Sequence, residues 1–361
     1  MAVLVAGCSG TGGSGSSSAS SVTAKGTTLV IYLSEQSSPN AMQQQVMAGE
    51  QLACRQLAGA IPGTNRSVKC QTASAPKLSD NARTAIQNES AIAYIGEITP
   101  GDSEQTLGIN NAQDLLQVSP TDTAVELTQS VAAVPNSPGA FYEAGSTYGR
   151  TFARIAPTSA QEAQAVLGEM KKLGVRSVYV TGDSSDYGLA LQAAVRSGAS
   201  AQGLTVSAGQ SGADALFYGG SSFSGAQTFA ARAASAASSA RLFLPSALAG
   251  MDFSTGPWSQ FRAVYVSEPV PGAGASPHLA SPAEAFGYAA VQAVIHVLHV
   301  AGKSVTNRST VVKDFHRLSG FATAVGPLSI SASGDSSLGA GAFAFARVRG
   351  GRLVGPGSAS G

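Results

Sequence analysis

Charged residues are scarce in this chain. Only 12% of the 361 residues are Asp, Glu, Lys or Arg, and the formal net charge is +1. Nucleic-acid binding depends on clustered Lys and Arg that neutralise phosphates, and no basic run is longer than Lys171-Lys172. The composition therefore argues against a nucleic-acid partner.

Long apolar runs are also lacking. No stretch reaches the roughly 20 consecutive apolar residues expected of a membrane-spanning helix, so we expect the body of the chain to lie outside the membrane. The hydrophobic content of 43% is nevertheless enough for real cores. A chain of 361 residues suits two domains better than one.

Motifs for catalysis and metal binding are missing. The sequence has no GxSxG elbow, P-loop or CxxC pair. His296 and His299 have i, i+3 spacing in a predicted helix, but no nearby carboxylate or cysteine completes a metal site, so a helix-surface pair is the simpler interpretation. Gly10–Gly15 spells GxGxxG without a strand before it or a helix after it. We predict no enzymatic activity, no cofactor and no metal.

The first 25 residues differ from the rest. Leu4–Cys8 (LVAGC) resembles a bacterial lipobox, whose cysteine becomes the lipidated N-terminus, and a Gly/Ser-rich tether follows. Seven residues before Cys8 are too few for a full signal peptide, and a first strand is the alternative for Met1–Gly7. We predict a truncated lipoprotein signal and tether over residues 1–25, with the chain lipid-anchored at Cys8 on the extracytoplasmic side.

Two further cysteines, Cys54 and Cys70, fall late in the first predicted helix and in the next strand. Because these elements would be packed neighbours, a disulfide between the two cysteines is geometrically reasonable. An exported chain would permit it. Two free buried cysteines are the alternative.

Apolar runs bounded by turn residues alternate with helical patterns along the chain. The order begins with a strand at Thr28–Leu33, a helix at Ala41–Leu57 and a strand at Ser67–Gln71, and it restarts near Phe152. A long helix is predicted at Pro282–Val300. This alternation predicts an α/β fold of two doubly wound, Rossmann-like lobes.

The stretch Ile92–Thr128 offers a place to hold a ligand. Predicted strands at Ala91–Gly96 and Leu115–Val118 are each followed by a loop of small polar residues. In an open α/β sheet, ligands bind at the carboxyl ends of the strands. The two loops supply hydrogen-bond donors and acceptors without an obvious nucleophile–base pair, which indicates binding and not catalysis.

The order of motifs resembles the type I periplasmic binding proteins, in particular the branched-chain amino-acid (leucine-binding) receptors of ABC importers. The resemblance covers most of Thr27–Val354. It rests on six segments that follow the family's order: AYIGEITPGDSEQT, LLQVSPTDTAVELT, FARIAPTSAQEAQAV, VYVTGDSSDYGLAL, ALFYGGSSFSGAQTFAARA and GYAAVQAVIHVLHVAG.

The resemblance implies a Venus-flytrap architecture, in which two lobes joined by three hinge crossings close over a ligand. Lobe 1 would combine residues 26–147 with 272–325, and lobe 2 would combine residues 148–271 with 326–361. It further implies a solute-binding protein that hands a small polar molecule to ABC permease subunits. That ligand would be a branched-chain or other amino acid, or a related amide or carboxylate.

The same resemblance implies a set of ligand-binding residues: Thr99, Thr121, Asp122, Thr123, Tyr187, Ser221 and Ser246. Thr121 and Thr123 lie in an SPxxT loop whose hydroxyls and backbone amides would hold a ligand carboxylate. Thr123 has a helix N-cap role as an alternative or additional one. Tyr187 would cover the ligand from lobe 2, unless it is only an exposed tyrosine at a helix start.

Three positions depart from the family pattern. Pro100 stands where a hydroxyl is usual, so Thr99 would substitute; Ser221 replaces an aromatic residue, and Ser246 replaces the acid that binds the ligand's ammonium. An ammonium in a desolvated cleft needs a carboxylate partner, and Asp122 or Glu97 would have to supply it, although Asp122 can also be a solvated loop acid. The alternative function is a sensory or structural protein that reuses the fold without transport.

Overall fold

The computed structural model describes residues 22–142, 149–276 and 278–355. The expected lipobox, with Cys8, lies outside these residues. The strands are β1 Thr28–Ser34, β2 Ser67–Ala73, β3 Ala91–Ile95, β4 Leu116–Ser119, β5 Phe152–Arg154, β6 Ser177–Gly182, β7 Thr205–Val206, β8 Ala215–Gly219, β9 Arg241–Leu244, β10 Ala263–Pro269, β11 Phe321–Thr323, β12 Gly326–Leu328, β13 Phe343–Arg349 and β14 Arg352–Val354. The helices are α1 Ala41–Leu57, α2 Leu78–Gln87, α3 Glu104–Asn111, α4 Ser159–Lys172, α5 Asp186–Gly198, α6 Phe223–Ala233, α7 Pro282–Ala301 and α8 Arg308–Phe315.

The first sheet of the described chain is parallel throughout and has the strand order β2-β1-β3-β4-β5. Its central strand β3 (AIAYI) is apolar at every position and is buried along its whole length. Continuous apolar character is typical of parallel strands that helices cover on both faces. The expected α/β lobe is therefore present.

The second sheet has the order β14-β13-β10-β9-β8-β6-β7. Its strands β6 to β10 pair in parallel, whereas β13 adds to β10 antiparallel and β14 closes a hairpin on β13. The end of the described chain therefore completes the second lobe. The two predicted doubly wound lobes are confirmed.

The sheets divide the chain at a point different from the expected lobe limit between residues 147 and 148. Strand β5 was expected in lobe 2, but it pairs with β4 in the first sheet, with Phe152 opposite Gln117 and Arg154 opposite Ser119. Phe152 and Ala153 are fully buried there. The first parallel sheet gains an edge strand before the chain crosses into α4.

Helix α7 corrects the expectation that no stretch is long and apolar enough to cross a membrane. Residues Pro282–Ser304 meet that requirement by length and composition. Most of the helix is buried against α1 and the first sheet. Its apolar length is explained by its place in the core of the first lobe.

Helix α1 and strand β2 are joined covalently. Cys54 and Cys70 form a disulfide with their Cα atoms 6.1 Å apart. Both cysteines also pack against the main core of the first lobe. The structure thus has the paired form and not the two free thiols.

Candidate functional site

The carboxyl ends of the two sheets face each other across the contact between the lobes. Glu162, near the start of α4, contacts the loop after β4, the start of α5 and residues at the ends of β9 and β10. This is the edge at which an open α/β sheet binds ligands. Most of the predicted site residues lie here.

Glu162 lies at the centre of this contact. Its carboxylate accepts hydrogen bonds from the Ser246 backbone N–H at 2.6 Å, the Ser246 hydroxyl at 2.9 Å and the Ser267 hydroxyl at 2.5 Å. The Tyr187 hydroxyl donates at 3.2 Å, and the Thr123 hydroxyl lies at 3.5 Å. Glu162 is fully buried. We call these five residues the Glu162 cluster.

The cluster brings together three predicted site residues, Thr123, Tyr187 and Ser246, from both lobes. Their hydroxyls point at a carboxylate, but the carboxylate belongs to the chain itself. Burial raises the pKa of Glu162, while the hydrogen bonds from Ser267 and Ser246 act in the opposite direction. Tyr187 is buried, so the exposed-tyrosine alternative does not hold.

Sequence reasoning missed Glu162. The residue lies in the first turn of α4, after a capping box formed by Thr158 and Gln161. An acid in a first helical turn is ordinarily explained by the helix dipole, so its identity gave no special signal. The available clue was that Glu162 lies within FARIAPTSAQEAQAV, one of the six segments on which the family resemblance rests.

Asp122 has a structural role in the loops after β3 and β4. Its carboxylate accepts from the backbone N–H groups of Gly101 at 2.9 Å, Ser103 at 3.1 Å and Ala124 at 3.0 Å. Asp122 is fully buried, which corrects the alternative of a solvated loop acid. Burial raises its pKa, with the nearby Arg154 lowering it. This carboxylate is committed to the loops, so it is poorly placed to bind an ammonium.

Glu97 is committed in the same way. Its carboxylate accepts from the Ser34 hydroxyl at 2.8 Å and the Tyr94 hydroxyl at 2.6 Å. Burial raises the pKa of Glu97 to about 8. Neither acid proposed from the sequence as the ammonium partner is therefore free of internal bonds.

The other predicted residues lie apart from the Glu162 cluster. The Thr99 hydroxyl accepts from the Gln43 side chain at 2.8 Å, and the Thr121 hydroxyl donates to the Ile98 carbonyl at 2.6 Å. Ser221 is half-buried in the loop between β8 and α6. Because Ile98 immediately precedes Thr99, the loops that carry Thr99 and Thr121 are in contact, whereas Ser221 lies in a loop of the second lobe.

A cavity of about 540 Å³ lies between the lobes, with walls from both and without any residue of the Glu162 cluster in its lining. Its first-lobe wall comes from the starts of α1 and α7, and its second-lobe wall from the loop after β9, the end of β10 and β14. Thr121 is the predicted site residue in this wall. The lining residues are Asn40, Ala41, Met42, Gln45, Thr121, Ala249, Gly250, Met251, Asp252, Glu268, Pro269, Pro282, Ala283, Phe286, Gly351, Arg352 and Leu353.

Glu268 supplies a carboxylate to this mainly apolar cavity. Side chains alternate between the two faces of a strand, and its neighbour Ser267 points to the Glu162 cluster. Glu268 is half-buried, and burial raises its pKa to about 7. Sequence reasoning missed Glu268 because the side each residue of β10 faces depends on how the sheet packs.

A second group of acids lies near the contact between the lobes. Burial, together with neighbouring acids that include Asp122 and Asp186, raises the pKa values of Glu104 and Glu126 to about 8 each. Neither carboxylate oxygen of Glu126 has a hydrogen-bond partner among the described residues. In the same described part of the chain, no group of three His, Cys, Asp or Glu is arranged to hold a metal ion.

The fold is that of solved solute-binding proteins of the type I periplasmic class. A leucine-binding protein from Thermotoga maritima superposes with a TM-score of 0.68 at 17% identity, over 90% of this chain and 96% of that one. An ABC transporter substrate-binding protein from Desulfitobacterium hafniense in complex with Leu gives a TM-score of 0.68 at 16% identity, over 90% and 99% of the two chains.

A third similar structure holds a different ligand. The solute-binding protein of an ABC transporter from R. palustris, in complex with benzoate, has a TM-score of 0.62 and 16% identity, over 91% of this chain and 96% of that one. No protein-family model and no curated protein matches the sequence. Structures at this level of identity show that the fold is shared.

Proposed function

We propose that this chain is the extracytoplasmic solute-binding protein of an ABC importer. It binds a small polar ligand between its lobes and delivers that ligand to permease subunits without chemical change. The ligand would be a branched-chain or other amino acid, or a related amide or carboxylate.

The single observation that carries the proposal is the cavity between the lobes. Its volume of about 540 Å³ lies within the roughly 300–1,000 Å³ that is usual for sites of small organic ligands. Residues of both lobes line it, so a bound solute would favour the closed arrangement by contacting both at once. The similar structures with Leu and benzoate support a ligand of this size.

A sensory or structural protein without transport is the second candidate. The observation that favours it is the Glu162 cluster, in which the Glu162 carboxylate accepts hydrogen bonds from hydroxyl groups of both lobes. Such a contact can hold the lobes together without a solute.

A thermal-shift screen against amino acids, amides, carboxylates, sugars and polyamines tests the proposal. A ligand that binds only the folded state raises the melting temperature with its concentration. A concentration-dependent rise supports the solute-binding function. No rise with any class at millimolar concentration would favour the sensory or structural candidate.

Lipid anchoring at Cys8 belongs to the same proposal and has its own test. The Cys8→Ser variant of the chain, expressed with a complete export signal, is expected in the soluble extracytoplasmic fraction, while the parent stays with the membrane. A variant that remains in the membrane fraction would contradict anchoring through Cys8.

A further inference from the structure

We propose that the cleft ligand is a small, largely apolar molecule with a protonated amine, and that Glu268 is the counter-ion of this amine. The inference rests on the proposed solute-binding function and names the chemical class of the ligand. It needs no carboxylate on the ligand.

The first step is that three acids proposed from the sequence or found at the contact between the lobes, Glu162, Asp122 and Glu97, already have internal donors. Glu104 and Glu126, the other acids near this contact, do not line the cavity. Glu162 accepts from hydroxyls and an amide of its cluster, and Asp122 accepts from three backbone amides. Glu97 accepts from two hydroxyls. A charged ligand group would have to displace these bonds to reach any of the three carboxylates.

The second step is that Glu268 differs from these acids. The described residues place no hydrogen-bond donor and no cation within bonding distance of its carboxylate, which faces the cavity. A half-buried carboxylate beside apolar walls lacks full solvation. An ammonium group would compensate this loss with a charge-assisted hydrogen bond.

The third step is the character of the remaining wall. Met42 and Met251 face the cavity from opposite lobes, and Phe286 and Leu353 add to its apolar surface. Methionine side chains adapt to irregular apolar shapes. The wall therefore fits a hydrocarbon body attached to the amine.

Two other charged side chains belong to the wall, and neither replaces Glu268. The Asp252 carboxylate is exposed and accepts from the Ser254 N–H at 2.8 Å and the Ser254 hydroxyl at 2.9 Å. Arg352 lies on the exposed β14. The wall segments of α1 and α7 contribute no charged side chain.

The N-terminal turns of α1 and α7 in the cavity wall have few free donors with which to bind an anion. The Asn40 side chain already accepts from the Gln43 N–H, and the Ser281 hydroxyl accepts from the Glu284 N–H. Pro282, the first residue of α7, has no N–H. The polar features of the cavity therefore favour a cation over an anion.

The test is calorimetric titration of the purified chain at pH 8 with three molecules of the same branched skeleton: leucine, 3-methylbutylamine and 4-methylpentanoate. We expect the amine and leucine to bind and the carboxylate to fail. Glu268→Gln should weaken amine binding tenfold or more. Glu89→Gln, which removes a surface acid outside the cavity wall, should change amine binding less than twofold.

A pH series separates the role of Glu268 from general packing. Amine binding should weaken from pH 8 to pH 5.5, because Glu268 takes up a proton over this range, and Glu268→Gln should remove that dependence. Unfolding of each variant at pH 5.5 controls for a loss of folding.

Several results would overturn the inference. One is binding of 4-methylpentanoate, or of benzoate, without the amine, which would assign an anion to the cavity and leave the solute-binding function intact. Another is amine binding that Glu268→Gln does not change. Failure of 3-methylbutylamine, benzylamine and phenethylamine alike would also overturn it, whereas the solute-binding function is judged by the wider thermal-shift screen.

Discussion

Glu162 and Ser246 are joined by two hydrogen bonds, one from the Ser246 backbone N–H at 2.6 Å and one from its hydroxyl at 2.9 Å. Ser246 was expected to face a ligand. Instead it holds a carboxylate of its own chain, which Tyr187 and Thr123 also approach. The contact therefore links α4, the end of β9 and the first lobe.

Replacing Glu162 tests this link. In Glu162→Gln an NH2 group, which donates and cannot accept, replaces one carboxylate oxygen, so the buried donors that bond to that oxygen lose their acceptor. We expect a loss of about 1–3 kcal/mol in the free energy of unfolding, measured with urea. Glu169→Gln, on the same helix in a pair with the exposed Lys172, should change stability by less than about 0.5 kcal/mol. Equal effects in the two variants would mean that the cluster adds no stability.

Stability should fall as the pH rises from 5.5 to 8.5. Burial raises the pKa values of Glu97, Glu104 and Glu126 from the ordinary 4.5 to about 8. Between these pH values the folded chain holds more protons than the unfolded chain, so the free energy of unfolding decreases with pH. Calorimetry at constant ionic strength should give a melting temperature several degrees lower at pH 8.5.

A matched pair of variants tests whether Glu126 causes part of this fall in stability with pH. Glu126→Gln removes an ionisable group whose carboxylate has no partner among the described residues, and should reduce the fall in melting temperature. Glu89→Gln removes a surface acid, whose side chain is 68% exposed, and should leave the fall unchanged. A melting temperature that is constant or rises over this range would contradict the assignment.

The two sheets could be predicted because each strand is recognisable from the apolar pattern of its own segment. Strand β3 is apolar throughout, and the loops after β3 and β4 meet because parallel strands end at one edge. The convergence of Thr123, Tyr187 and Ser246 could be expected for the same reason. The roles of Glu162 and Glu268 could not be predicted from the sequence. The role of Glu162 depends on which carboxylate contacts the other lobe, and the role of Glu268 depends on which face of β10 lines the cavity. The place of β5 likewise depends on pairing with β4, which its own three residues do not specify.

The crossing of α1 and α7 depends on glycine. A Cβ at Gly287 would lie 2.0 Å from the Val46 carbonyl oxygen, whereas a Cβ at Gly168 in α4 would meet nothing within 4 Å. Gly287→Ala should therefore lose about 1–3 kcal/mol through overpacking, and Gly168→Ala should gain about 0.5–1 kcal/mol of helix stability. Urea unfolding of both variants measures whether the free energy of unfolding falls in Gly287→Ala and rises in Gly168→Ala. A neutral Gly287→Ala would contradict the close approach of the helices.

The disulfide between Cys54 and Cys70 should stabilise the first lobe. It closes a loop with a sequence separation of 16, for which chain entropy gives about 3 kcal/mol. The double variant Cys54→Ala/Cys70→Ala should lose on the order of this amount in urea unfolding. Reductant should weaken the parent and leave the double variant unchanged. A parent that is insensitive to complete reduction would contradict the prediction.

The most direct test of a solute site between the lobes uses the methionine methyl groups. Met42 and Met251 line the cavity from opposite lobes, whereas Met170 is buried in a separate core beneath α4. In a chain labelled with ¹³C at the methionine methyls, we would record NMR spectra during titration with leucine, 3-methylbutylamine and the strongest ligand of the thermal-shift screen. A bound solute should shift the Met42 and Met251 signals together, saturably, and leave Met170 in place. A saturable ligand that leaves both cavity methionines unshifted would contradict binding between the lobes.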